Sequence, residues 1–133
     1  MANSPTSRTL ALFRHQGYIC QVVERWNQHA RIRQDLFGCI DVVAIAPIAS
    51  ELGSGGIFGL QACAGASHAA RRAKSIAEPR LRTWLRAGGQ FAIVSWSKRG
   101  DRGKLKRWTP RIEWIQLSDL PGVRTDELSG NAG

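Results

Sequence analysis

Apolar residues fall into short runs separated by polar or glycine-rich stretches, and the spacing within each run predicts its element. Between Ser7 and His15, Leu10 and Phe13 stand three apart and Gly17 can close the end, which predicts a short first helix after a loose leader over 1–6. Tyr18 to Trp26 is rich in β-branched and aromatic residues and predicts the first strand. Asn27 to Arg33 has no clean period and is expected to be a loop. Ile40–Ile45 and Ile57–Cys63 are apolar runs of strand length bounded by turn residues. Between them, Ala46–Gly56 contains Pro47 and Gly53-Ser54-Gly55-Gly56, which predicts a hairpin turn; it lacks the Lys and following Ser or Thr of a phosphate-binding P-loop and precedes a strand.

From Ser67 to Ile76, Ala69, Ala70, Ala73 and Ile76 recur at helical spacing, with Ser67 as N-cap and Arg71, Arg72 and Lys74 facing elsewhere. Glu78-Pro79 breaks that helix and starts another, whose apolar side is Leu81, Trp84 and Leu85 and which ends at Gly88-Gly89. Phe91–Ser97 predicts a fourth strand, Lys98–Trp108 a basic hairpin loop and Arg111–Leu117 a fifth strand. The expected fold is a single α/β domain over residues 1–120, with a central mixed sheet of about five strands flanked by helices. A loosely ordered tail is expected over 121–133.

One acid interrupts this pattern. Asp41 lies within the apolar run Ile40–Ile45, and strand alternation puts it on the face of Val43 and Ile45; Gln61 shares a face with Gly59 and Cys63. If the two strands are neighbours, Asp41 and Gln61 face each other. A buried carboxylate requires a partner or a metal, and a carboxylate beside an amide oxygen suits a hard cation such as Mg²⁺.

Charge adds a partner class. The 133 residues carry a net charge of +9, but Arg71 to Arg111 alone holds thirteen Lys and Arg against Glu78 and Asp101, a balance of +11. Positive charge concentrated in this way implies a polyanion, usually nucleic acid. The longest apolar run is far too short to span a membrane, and the first residues lack the pattern of a signal peptide. A soluble cytoplasmic protein is expected, with Cys20, Cys39 and Cys63 as buried free thiols. The histidines and cysteines lack the paired spacing of a zinc site. The tryptophans read as core residues, except Trp108, which Lys104, Lys106 and Arg107 surround.

Three features now combine: Arg33-Gln34-Asp35-Leu36-Phe37-Gly38 before Ile40-Asp41, then Leu60-Gln61-Ala62-Cys63, then Ser67-His68-Ala69-Ala70-Arg71. With the element order, over roughly residues 8–117, they resemble the PD-(D/E)XK nuclease superfamily, and more closely its small phage and prophage members related to Holliday junction resolvases and virus-type replication-repair nucleases. The resemblance implies a metal-dependent DNA endonuclease using Mg²⁺ or Mn²⁺, with Asp41 and Gln61 as metal ligands. The lysine that the superfamily places two residues after the second ligand is replaced by Cys63, which has neither its charge nor its hydrogen-bonding strength. Lys74 can return an ammonium to that space, as in members whose motif residues have moved to the following helix, or it can serve as a surface phosphate contact.

Glu24 either completes the metal site or pairs with a cation such as Arg25; Asp35 either approaches the site or shapes a turn. His68 is placed to touch a phosphate at a helix start or to be a capped surface histidine. Nucleic-acid contacts are expected from Arg33, His68, Arg71, Arg72, Lys98, Arg99, Lys104, Lys106 and Arg107, with DNA as the main partner and RNA as the other. The dimeric junction resolvases imply a homodimer. The alternative is a nuclease-like fold without catalysis that binds nucleic acid or inhibits a nucleic-acid enzyme.

Overall fold

Helix α1 begins two residues earlier than the spacing predicts, because Ser4 and Pro5 form a complete start signal. In the computed structural model, which describes residues 4–47 and 55–122, α1 spans Pro5–His15, with Pro5 in its first turn and the Ser4 hydroxyl accepting the Ser7 N–H at 3.0 Å. Phe13 and Thr9 face the sheet, and the Trp96 indole donates to Thr9 Oγ1 at 3.0 Å. The rest of the leader, the core of the glycine-rich turn and the tail from 123 lie outside the described residues.

The first strand is broken where one continuous run was expected. Strand β1 covers Ile19–Val22, after which the Val23 and Glu24 amides both donate to the Asp41 carbonyl, at 2.8 and 3.3 Å. Two residues opposing one form a bulge that bends the chain away. What was expected as a loop becomes a small hairpin, β2 (Arg25–Asn27) against β3 (Ile32–Gln34). Asn27 builds its turn by accepting the His29 and Ala30 amides at 3.0 Å each.

The remaining strands are β4 (Val42–Ala46), β5 (Gly56–Ala64), β6 (Gln90–Arg99) and β7 (Arg107–Trp114). The chain is a single-domain α/β fold, and its mixed five-stranded sheet has the order β1-β4-β5-β6-β7. Among the described strands only the β5–β6 pair is parallel, and its crossover carries α2 (His68–Ile76) and α3 (Pro79–Arg86). β7 starts and ends earlier than expected, so the basic loop narrows to 100–106; Ile115 follows the strand, buried, with its amide on the Phe91 carbonyl.

Strand alternation divides the core into two layers. Val42, Ala44, Phe58, Leu60, Ala92, Val94 and Trp96 pack under α1; Ile40, Cys63, Leu81, Phe91, Ile93 and Ile115 pack under α2 and α3. The three cysteines are free and buried, as expected. Leu60 is fully buried at the centre, so Leu60→Ala is expected to cost about 2–5 kcal/mol, read as a lower urea midpoint. Among the described residues no helix is long and apolar enough to cross a membrane.

Helix α2 reverses the expected orientation. Ala69, Ala70 and Ala73 face solvent, whereas His68 and Ser75 are buried and Arg71, Arg72 and Ile76 half-buried. The inward set recurs at i, i+3, i+4, i+7 and i+8 and is mostly polar. The helix follows a short 3₁₀ turn, Gly65–Ser67, and the Ser67 side chain makes no capping bond.

Candidate metal centre and its surroundings

The bulge and the hairpin bring three acids together. Asp41, just before β4, donates its amide to the Leu60 carbonyl at 2.9 Å, which fixes it between β1 and β5. The antiparallel register Val42↔Leu60 puts Gln61 opposite it, as alternation predicts. Asp41 is buried at 3% exposure, and its Oδ2 accepts both the Ala62 amide at 3.0 Å and the Gln61 side-chain amide. The bulge delivers Glu24 beside it. From the other end of the hairpin comes Asp35, at the head of a tight turn in which Phe37 and Gly38 both have positive φ. Gly38, at φ +73°, takes a conformation that suits glycine, and a Cβ there would lie 2.7 Å from Oε1 at the tip of the Glu78 side chain.

Carboxylate oxygens of Glu24, Asp35 and Asp41 lie within 4.8 Å of one another. At that separation each like-charged pair costs about 3–4 kcal/mol at an effective dielectric of about 20, so the cluster calls for a proton or a cation. Burial above all pushes the Asp41 carboxyl up, to about 8; a hydrogen bond with Asp35 and the Asp35 and Glu24 charges act in the same direction, against the Ala62 amide. Arg33 supplies a compensating cation, with Nη1 3.0 Å from Glu24 Oε1. Among the described residues, Asp35 Oδ2 and Gln61 Oε1 are buried without a hydrogen-bond partner.

This donor set fits a divalent cation with oxygen preference. The grouping is Glu24, Asp35 and Asp41; Gln61 meets Asp41 through its nitrogen and orients that carboxylate, leaving its own oxygen unspent. Of the two roles open to Asp35, the structure selects proximity to the site, and Glu24 keeps both of its own, with Arg33 rather than Arg25 as its pair.

Asp35 also lines an open cleft of about 680 Å³ with Arg33, Lys74 and Arg80. Lys74, exposed near the end of α2, lines this cleft with Asp35. Cys63 is buried in the apolar layer, where desolvation raises its thiol pKa, the Asp41 charge adds to the rise and the Arg71 charge opposes it. Arg71 is thus a cation close to Cys63, a position that sequence spacing had not given it.

Two expected phosphate contacts are already committed inside the fold. His68 is buried at 3% exposure, with Nδ1 2.6 Å from Ser95 Oγ and Nε2 2.7 Å from Glu113 Oε1. Arg72 donates to Glu113 Oε2 at 2.8 Å and lies 3.6 Å from Asp119. These bonds pin α2 to β6 and β7, which is why its polar face turns inward. The only signal for Glu113 in the sequence is that it is a lone acid in a basic strand. Lys98, Arg99, Lys104, Lys106 and Arg107 are exposed along the β6–β7 hairpin. Trp108 there is covered by Arg8 at 3.8 Å and Lys98 at 5.4 Å from its ring centre. The chain matches no family model, no curated protein and no solved structure.

Proposed function

We propose that this chain is a metal-dependent DNA endonuclease of the PD-(D/E)XK kind, hydrolysing phosphodiester bonds in structured DNA such as four-way junctions. The observation that carries the proposal is the meeting of Glu24, Asp35 and Asp41 within 4.8 Å, backed by a buried glutamine, with Asp35 lining a cleft that Lys74 also lines. Glu24, Asp35 and Asp41 would hold Mg²⁺ or Mn²⁺, with Gln61 Oε1 as a further donor. The metal would supply Lewis acidity at the scissile phosphate and lower the pKa of a water. Gln61 and the Ala62 amide hold the Asp41 carboxylate in place; Lys74 and Arg71 contribute positive charge where the phosphate gains negative charge. The exposed cations of the hairpin grip the backbone without reading sequence.

Purified protein incubated with supercoiled plasmid and a four-way junction is expected to nick DNA with Mg²⁺ or Mn²⁺ and not with EDTA. Lys74→Ala is expected to lose more activity than Lys104→Ala, whose side chain lies on the distant hairpin. The burial of Cys63 at the lysine position favours a second reading, a nucleic-acid-binding protein on a nuclease scaffold. Retention of DNA at low salt with no metal-dependent cutting would select it.

A further inference from the structure

The sheet face that carries the acid cluster has another polar hollow at its far end, of about 280 Å³, between Gly65 and the root of the β6–β7 hairpin. It lies roughly 13 Å along the strands from the level of Gln61, four residues at about 3.3 Å each. Cross-strand pairing builds it: Ser95 stands opposite Arg111, Ser97 opposite Thr109 and Arg99 opposite Arg107. Alternation points all six side chains to the same face. Arginines directly opposite each other repel, an arrangement that an anion relieves.

Some of the donors around this hollow are bonded within the fold and others are not. Glu113 gives both carboxylate oxygens to His68 and Arg72, so Arg111 keeps only a long 3.9 Å approach to it and remains 63% exposed. Arg99 makes no ion pair among the described residues. The carboxylate of Glu113 can only accept, so a proton between them sits on His68 Nε2, and His68 Nδ1 is hydrogen-bonded to the Ser95 hydroxyl. Thr109 donates to the Arg107 carbonyl at 3.1 Å. Two guanidinium groups and the Ser97 hydroxyl are left facing the space. Gly65 closes it from the helix side; a Cβ there would collide with Ser97 Oγ, so the close approach of this backbone depends on glycine. By contrast, the hollow of about 540 Å³ beside Gly88 and Trp114 has no ionisable lining residue.

We propose that this hollow is a phosphate-binding site, in which Arg99, Arg111 and Ser97 hold one phosphate of a nucleic-acid strand. Several donors converging on a small space suit a tetrahedral oxyanion with multiple acceptors, and guanidinium groups bind it in paired fashion. The strand as source rests on the nuclease reading; the affinity for phosphate does not. The phosphate is either an internal phosphodiester or a terminal monoester.

The test is carried out in EDTA, so that it reads binding alone. Inorganic phosphate at millimolar concentration is expected to shift the amide signals of Gly65, Ser97 and Arg111. Arg111→Gln is expected to weaken binding of a labelled single-stranded oligonucleotide about tenfold and to reduce the slope of log affinity against log salt by roughly 0.7. Lys104→Gln, outside the hollow, is expected to leave the inorganic phosphate shifts intact. A preference for 5′-phosphorylated over 5′-hydroxyl oligonucleotide assigns the site to a strand end, and equal binding assigns it to the backbone. Absence of amide shifts at tens of millimolar phosphate would overturn the proposal. So would equal loss of the shifts in Arg111→Gln and Lys104→Gln, since diffuse charge would then suffice. Phosphate shifts without any metal-dependent cleavage would leave this site standing and remove the nuclease reading; cleavage without the shifts would do the reverse.

Discussion

Asp41→Asn is expected to fold, to retain DNA at low salt and to lose metal-dependent cleavage by more than the roughly 100-fold typical of removing an outer partner of a metal ligand. The substitution preserves shape. The bonds from Ala62 and from Gln61 end on one oxygen, and an amide oxygen can accept both. What disappears is the charge in the most buried of the three acids. The same change relieves repulsion among the carboxylates, so the variant in EDTA at pH 8 is expected to melt above the parent. Activity and stability thus move in opposite directions, which a misfolded variant cannot reproduce. Metal-dependent cleavage retained in folded Asp41→Asn would remove Asp41 from the site.

Without metal, stability is expected to fall as pH rises from about 4 to about 8. The ordinary value of the Asp41 carboxyl is 3.8, and in the folded protein burial and its acidic neighbours raise it to about 8. Below this window both states hold the proton; within it the folded state binds more protons than the unfolded one, so each pH unit removes up to about 1.4 kcal/mol per proton. Above it the loss is complete. Glu78, whose pKa is pulled down to about 2 by hydrogen bonds from Arg80, acts below this range and does not mask it. On the proposed reading a divalent cation is expected to replace the proton as the compensating charge, and at 100 times its dissociation constant to add about 2.7 kcal/mol. Thermal unfolding at pH 5.5 and 8, in EDTA and in Mn²⁺, reads both effects. A metal-free protein no less stable at pH 8 than at pH 5.5 would mean that the acids do not crowd one another.

The sheet and the Asp41–Gln61 pairing were legible because alternation is a local property and both strands are long enough to show it. Asp35 was harder to place. Its approach depends on a hairpin of two three-residue strands, too short for any period, folded back by the Asn27 turn and the bulge after Val22. The spacing within helix α2 predicts its alanines inward, since a small apolar stripe ordinarily faces a sheet. Here the sheet presents Ser95 and Glu113, which satisfy His68 and Arg72. Partners contributed by strands about 27 and 41 residues further on leave no mark on the helix's own spacing. The position of Arg71 near Cys63 was hidden for the same reason.

The two amides that converge on the Asp41 carbonyl make the spacing of the acids a matter of residue counting rather than of side-chain fit. One residue inserted between Val22 and Arg25 would turn Glu24 to the opposite side of the chain. At the hairpin tip, between His29 and Arg31, added residues lengthen only an exposed turn, and the cost of a longer loop rises slowly with its length. Natural variation and engineered fusions therefore have an open door at the tip and a closed one at the bulge, about five residues away in sequence.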